Sequence, residues 1–114
     1  MKAILKEPGK EPRILEVESD HEALHEALGG YLEHIGIGRG IGILCDEDGR
    51  YKGPVVKGRP TSLPYNFSLP DIGPLVGPVL FVGESPDGFI GLDDEQISLV
   101  FDGFEEMDGD HYAK

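Results

Sequence analysis

Ile72-Gly73-Pro74-Leu75-Val76-Gly77-Pro78-Val79-Leu80-Phe81-Val82-Gly83 decides the fold. Its core, Val79 to Val82, is the most concentrated apolar run in the chain. It is short, β-branched and aromatic, with Gly77-Pro78 before it and Gly83-Glu84 after it. That pattern predicts a strand buried on both faces, at or near the middle of a sheet. Proline donates no backbone hydrogen bond, so the Gly73-Pro74 and Gly77-Pro78 steps predict a strand lead-in, an edge or a bulge.

The composition bounds what this strand can belong to. A chain of 114 residues has room for one domain. Seventeen glycines and nine prolines predict short strands, many turns and little long helix. A net charge of −12 opposes nonspecific binding to nucleic acid or to an anionic membrane surface. Its ordinary meaning is a solvated surface; its sharper meaning is mimicry of nucleic acid. The single cysteine, Cys45, forms no internal disulfide and suits a reducing compartment. Met1 to Lys6 has no apolar signal-peptide region and no run reaches membrane length, so a cytoplasmic location is expected.

Reading outward, Lys2–Lys6 predicts a first strand. Arg13–Glu18 predicts a second, antiparallel one with Leu15 and Val17 inward. Ser19-Asp20 offers a cap for a short helix that Gly29-Gly30 ends, with Ala23, Leu24, Ala27 and Leu28 on its inner face. Tyr31–Ile37 and Ile41–Cys45 predict two further strands around a glycine-rich turn. Glu47-Asp48-Gly49 is a hairpin-turn signal with a return strand from Tyr51. Pro54–Pro70 reads as a long ordered loop with one short strand at most, a length that is often functional. Phe89-Ile90 is a short strand. Asp93 and Gln96 form a capping box for a second helix, expected to run from Asp94 to about Phe101 with Ile97, Val100, Phe101 and Phe104 inward.

Four motifs suggest chemistry. His21-Glu22-Ala23-Leu24-His25 fits the zinc-protease pattern H-E-x-x-H. Its helix is about two turns long and its apolar face leaves both histidines toward solvent. No third ligand follows, since Tyr31 stands where a longer pattern places one. Adventitious metal binding at His21 and His25 is the most this supports. Gly36 to Gly42 fits no phosphate-loop register and leads into a strand, not a helix N-terminus. Asp46 to Gly49 lacks the remaining oxygens of a calcium loop. Cys45 has no base beside it, and Asp46 and Glu47 would raise its pKa. No catalytic residue is assigned and no cofactor is implied.

Charge is segregated. Arg39, Arg50, Lys52, Lys57 and Arg59 gather in the middle of the chain, while the last third is almost wholly acidic.

A series of short pieces carries a family resemblance. They are Met1-Lys2-Ala3-Ile4-Leu5, Glu22-Ala23-Leu24, Gly29-Gly30-Tyr31-Leu32-Glu33 and Cys45-Asp46-Glu47-Asp48-Gly49. Then follow Leu63-Pro64-Tyr65-Asn66, Gly77 to Gly83, and Leu92-Asp93-Asp94-Glu95. In this order they span about residues 1 to 100. The chain resembles domain-of-unknown-function family 3846, small proteins of bacteria, their phages and mobile elements. The resemblance implies no activity. It implies ordinary polar residues where His21 and His25 stand, and it directs attention to the 47–49 turn and to Asn66. It also implies a basic residue after the asparagine; here Phe67 stands there, which counts against an anion-binding spot.

The expectation is an α+β fold: a single small domain over residues 1–104, with a mostly antiparallel sheet of about five or six strands and two short helices. An acidic, frayed tail over 105–114 follows. Leu24, Leu28, Ile97 and Phe101 are expected to cover one sheet face. The expected function is a non-enzymatic accessory or regulatory protein of a phage or mobile element that binds an unknown protein partner, with no direct contact to nucleic acid or membrane. An acidic nucleic-acid mimic is the alternative, and a metal-dependent enzyme at the His21 motif a disfavoured one. The expected binding residues are Tyr65, Asn66, Arg50 and Arg59.

Overall fold

Val79, Leu80, Phe81 and Val82 are all buried, and their strand has a hydrogen-bonded neighbour on each side. The computed structural model describes the backbone of residues 1–112 and the side chains of residues 1–106. Its main sheet contains β1 (Lys2–Lys6), β2 (Arg13–Glu16), β3 (Leu32–Gly38), β4 (Ile41–Asp46), β9 (Val79–Ser85) and β10 (Gly88–Ile90). The order is β2-β1-β9-β4-β3, every pairing is antiparallel, and β10 also pairs with β9. Gly83 is opposite Ile41 on one side and Ile90 on the other, so β10 continues the β1 side of β9.

Alternation along the strands gives the sheet two apolar faces. Ile4, Ile41, Ile43, Cys45, Val79 and Phe81 share one; Ala3, Leu5, Leu44, Leu80 and Val82 share the other. The helix α1 (His21–Leu28) covers the second face with Leu24 and Leu28. The helix α2 (Asp94–Tyr112) covers the first with Val100 and Phe104, joined by Ile97 and Phe101. The expected shared face is therefore corrected: a β9 apolar on both sides needs a cover on both. Ala27 is exposed rather than inward, since Leu24 and Leu28 alone reach the sheet.

The caps follow the sequence. Asp20 accepts from the Ala23 N–H at 2.8 Å, and Gly29 closes α1 by donating to His25 O. Asp93 accepts from the Gln96 N–H at 2.8 Å while Gln96 Oε1 accepts from the Asp93 N–H at 3.0 Å, a complete capping box. With that start secured, α2 passes the expected end near Phe101. The backbone of the expected frayed tail is thus helical as far as Tyr112, and residues 113–114 lie outside the described residues.

Two stretches are more structured than expected. Gly49–Tyr51 forms a single 3-10 turn rather than a hairpin with a return strand. The 54–70 loop contains a separate hairpin, β5 (Val55–Val56) with β6 (Arg59–Pro60), and then β7 (Tyr65–Leu69). β7 pairs with β8 (Gly73–Val76), so the proline-punctuated lead-in to the organising strand forms its own two-stranded sheet. This sheet packs beside α2: Phe67 stacks on Phe81 at 6.0 Å and meets Phe104 edge-on at 5.0 Å.

A sheet covered on both sides has a measurable consequence. Ile43 and Leu44 are adjacent, fully buried and on opposite faces. Ile43→Ala and Leu44→Ala should each lower stability by about 2–4 kcal/mol in urea titrations. A strand with one wet face would show only one such loss.

Candidate functional site

The chain between Gly49 and Pro70 contains Arg50, Lys52, Lys57 and Arg59 and no acidic residue, in a protein of charge −12. Its centre, the β5–β6 hairpin, stands clear of both cores. Val55 is 70% exposed and Val56 53% exposed, and Lys57, Arg59 and Pro60 are exposed as well. Isolated two-stranded hairpins are marginal in water, and this one is held at its base. Gly53 donates to Thr61 O at 2.6 Å, Thr61 Oγ1 donates to Pro54 O at 2.5 Å, and Leu63 donates to Gly49 O at 2.8 Å. Lys57 and Gly58 form the tip with φ of 52° and 77°, the doubly left-handed pair of a tight hairpin turn. Lysine in that conformation costs about 1–2 kcal/mol relative to an ordinary backbone.

The arm's foot is built around Asp46, whose side chain is 2% exposed. Lys52 Nζ lies 2.7 Å from Asp46 Oδ2, and Asp46 Oδ1 accepts from the Asp48 N–H at 2.9 Å. A side chain at position 30 would collide with this carboxylate, so Gly30 is required there. Lys52 is thus fixed to the domain, whereas Lys57 and Arg59 are presented.

The four expected binding residues fall around this arm, with different surroundings. Arg59 lies on β6 and is exposed. Arg50 donates from its guanidinium to Pro74 O at 3.1 Å, tying the 3-10 turn to β8. Tyr65 is 58% exposed, and its hydroxyl meets Ser68 Oγ at 2.9 Å. Asn66 points inward. Its Nδ2 donates to Lys6 O at 2.7 Å and to Gly77 O at 2.8 Å, and its Oδ1 accepts from Lys6 Nζ at 3.1 Å. It bolts β7 to β1 and to the chain entering β9.

The two H-E-x-x-H histidines have different surroundings. His25 Nδ1 is 2.9 Å from Gly30 O and its ring stacks on Tyr31 at 5.5 Å, so it is half-buried rather than solvated; His21 is exposed. Among the described residues no group of three or more His, Cys, Asp or Glu side chains is arranged to hold a metal ion.

One polar pair escaped sequence reasoning. His34 Nε2 lies 2.5 Å from Glu84 Oε2, with the Phe89 ring edge-on to the imidazole at 5.0 Å. The pair crosses from β3 to β9 over Gly42, where a Cβ would press on both partners. Fifty positions separate the two residues, and only the sheet order β9-β4-β3 reveals them. The pair ties β3 to β9 across β4.

Cys45 is 5% exposed, with Sγ 3.9 Å from Glu33 O. Burial, then the charges of Glu33 and Asp46, push its thiol from the ordinary 9.0 up to about 11. Of the two acidic neighbours expected to raise it, Asp46 does so, while Glu33, opposite Cys45 on β3, acts in place of Glu47.

The chain matches the family model described as Domain of unknown function (DUF3846) over residues 1–105. It belongs to that family. No curated protein and no solved structure matches it.

Two measurements follow from these side chains. Asn66→Ala removes the donor from two carbonyls and should cost about 2 kcal/mol, without changing the far-ultraviolet spectrum. Cys45 keeps its proton in the fold at a pH where the unfolded chain has released it. The resulting stability is complete below about pH 9 and disappears as pH rises toward about 11. Relative to Cys45→Ala, the wild type should lose about 2–3 kcal/mol more over that window in denaturation experiments. Parallel pH profiles would show that the thiol is not suppressed.

Proposed function

We propose that this member of the DUF3846 family is a non-enzymatic binding protein that acts on another macromolecule through the β5–β6 arm. The observation that carries the reading is the arm itself. It presents two valines, Lys57 and Arg59 outside the apolar cores, on a backbone fixed at its base. Exposed aliphatic surface is otherwise an aggregation liability, and a local positive charge steers an oppositely charged partner. Tyr65 and the aliphatic stem of Arg59 add contact area of the type that dominates binding energies. No helix in the described residues is long and apolar enough to cross a membrane, which is compatible with this reading and does not select it.

The partner that fits is a protein with an acidic surface around an apolar pocket. Its bulk repulsion by the rest of this acidic chain would be offset only where the arm makes contact. Salt should therefore weaken the complex by slowing association.

The test uses untagged protein immobilised through its terminal region and challenged with nuclease-treated lysate of the source cell. The wild type should retain a partner saturably and in fixed stoichiometry. Val56→Ser combined with Arg59→Glu should reduce that affinity at least tenfold with an unchanged thermal midpoint. Equal retention by this variant would overturn the role of the arm; a partner retained from untreated lysate and absent from the nuclease-treated one would make nucleic acid the target instead.

A further inference from the structure

We propose that the cavity between α2 and the β3–β4 turn is a binding site for a small amphiphilic anion, a carboxylate or sulfonate with an apolar body. This site is separate from the arm and goes beyond the macromolecular binding above. The cavity measures about 320 Å³ and is walled chiefly by Ile41, Phe67, Leu69, Phe81, Leu99 and Phe104. That is the lower end of the range for small-molecule pockets. Among the described residues that line it, Arg39 is the one polar side chain. An occupant must therefore be apolar over most of its body and can place a charge only at the rim.

The rim is fixed. Arg39 has φ of 57°, an uncommon backbone for a long side chain. Gln96 Nε2 donates to Arg39 O at 2.9 Å and to Gly40 O at 3.1 Å. The same side chain closes the capping box of α2, so the turn and the helix cannot move independently. Among the described residues the Arg39 guanidinium takes part in no ion pair, although the protein as a whole is strongly acidic.

Gly103 supplies an independent observation. It lines the cavity from the interior of α2, and a Cβ there would meet nothing within 4 Å. Glycine inside a helix costs about 0.5–1 kcal/mol relative to alanine. Neither a left-handed backbone nor a close approach requires it here. What the glycine does provide is an open wall, so its cost is explained by space kept for an occupant.

The test is titration with decanoate, below its micellar concentration, followed by amide and methyl chemical shifts, with decanol as the uncharged counterpart. Decanoate should bind saturably, with shifts centred on Ile37, Arg39, Leu69, Leu99 and Gly103. Gly103→Leu should reduce its affinity more than tenfold while leaving the thermal midpoint at or above the wild-type value. Arg39→Gln should weaken decanoate about fivefold, the scale of a single rim ion pair, and leave decanol unchanged. The proposal is overturned by absence of saturation, by shifts away from this cavity, by undiminished binding to Gly103→Leu, or by equal affinity for decanol. The shift map on the wild type decides the matter by itself if Gly103→Leu does not fold.

Discussion

The molecule is organised by one constraint: β9 has four consecutive apolar side chains that point alternately to opposite faces. A strand of that kind cannot sit on a surface with one wet side. Each face must be closed by something, and burial of each large side chain contributes about 1.5–3 kcal/mol only if it is. The short α1 suffices for the Leu44–Leu80–Val82 face because Leu15 and Val17 extend its cover. The opposite face contains the bulkier Phe81 and needs both α2 and the β7–β8 sheet. Phe67, Phe81 and Phe104 meet there, one from each layer, with centroids 5.0–6.0 Å apart.

Backbone hydrogen bonding then fixes the periphery. Asn66 supplies donors to carbonyls of β1 and of the link into β9, where Gly77-Pro78 interrupts regular pairing. The Pro78 step thus separates β8 from β9 without leaving the Gly77 carbonyl orphaned. Lys52 and Asp46 do the equivalent at the other end of β4, where a buried carboxylate needs both a cation and a backbone donor. These contacts leave the β5–β6 arm attached but outside the packing. The segment that the chain spends on the arm is the one whose charge is opposite to the rest.

The parts of this arrangement written in local chemistry were legible in the sequence. β9, the β3–β4 pair, the cap at Asp20 and the Asp93–Gln96 box all depend on residues a few positions apart. The helix faces were not, because which side of a sheet a connection crosses to depends on how the whole sheet is covered. Val79–Val82 buried on both faces demands two covers, but the periodicity of each helix does not say which face Leu24 or Ile97 takes. β7 was hidden by the prolines on either side of it, which argue against a central strand but not against a two-stranded edge. The arm was hidden because Lys57-Gly58 lacks the Asn or Asp that usually marks a tight hairpin. Position in an irregular stretch singles out Arg59 and Tyr65, and both are exposed, while the inward role of Asn66 needs β1, sixty residues away. The His34–Glu84 pair and the cavity have no local signature at all.

Motif matching and energetic accounting point to different places in this chain. His21-Glu22-Ala23-Leu24-His25 matches a catalytic pattern, yet Glu22 is an acidic residue in the first helical turn, Leu24 points inward, the His25 imidazole stacks on Tyr31 beside the helix end, and His21 is exposed. Lys57 in a left-handed turn, Val55 and Val56 facing solvent, and Gly103 inside a helix match no pattern. Lys57 and Gly103 each cost stability relative to an ordinary alternative at the same position, and the two valines expose apolar surface that the cores do not use. Residues that local folding already requires say little about function, however familiar their spacing. Residues that folding would replace are the ones on which a reading of function can rest, and the two proposals made for the arm and the cavity rest on residues of that kind.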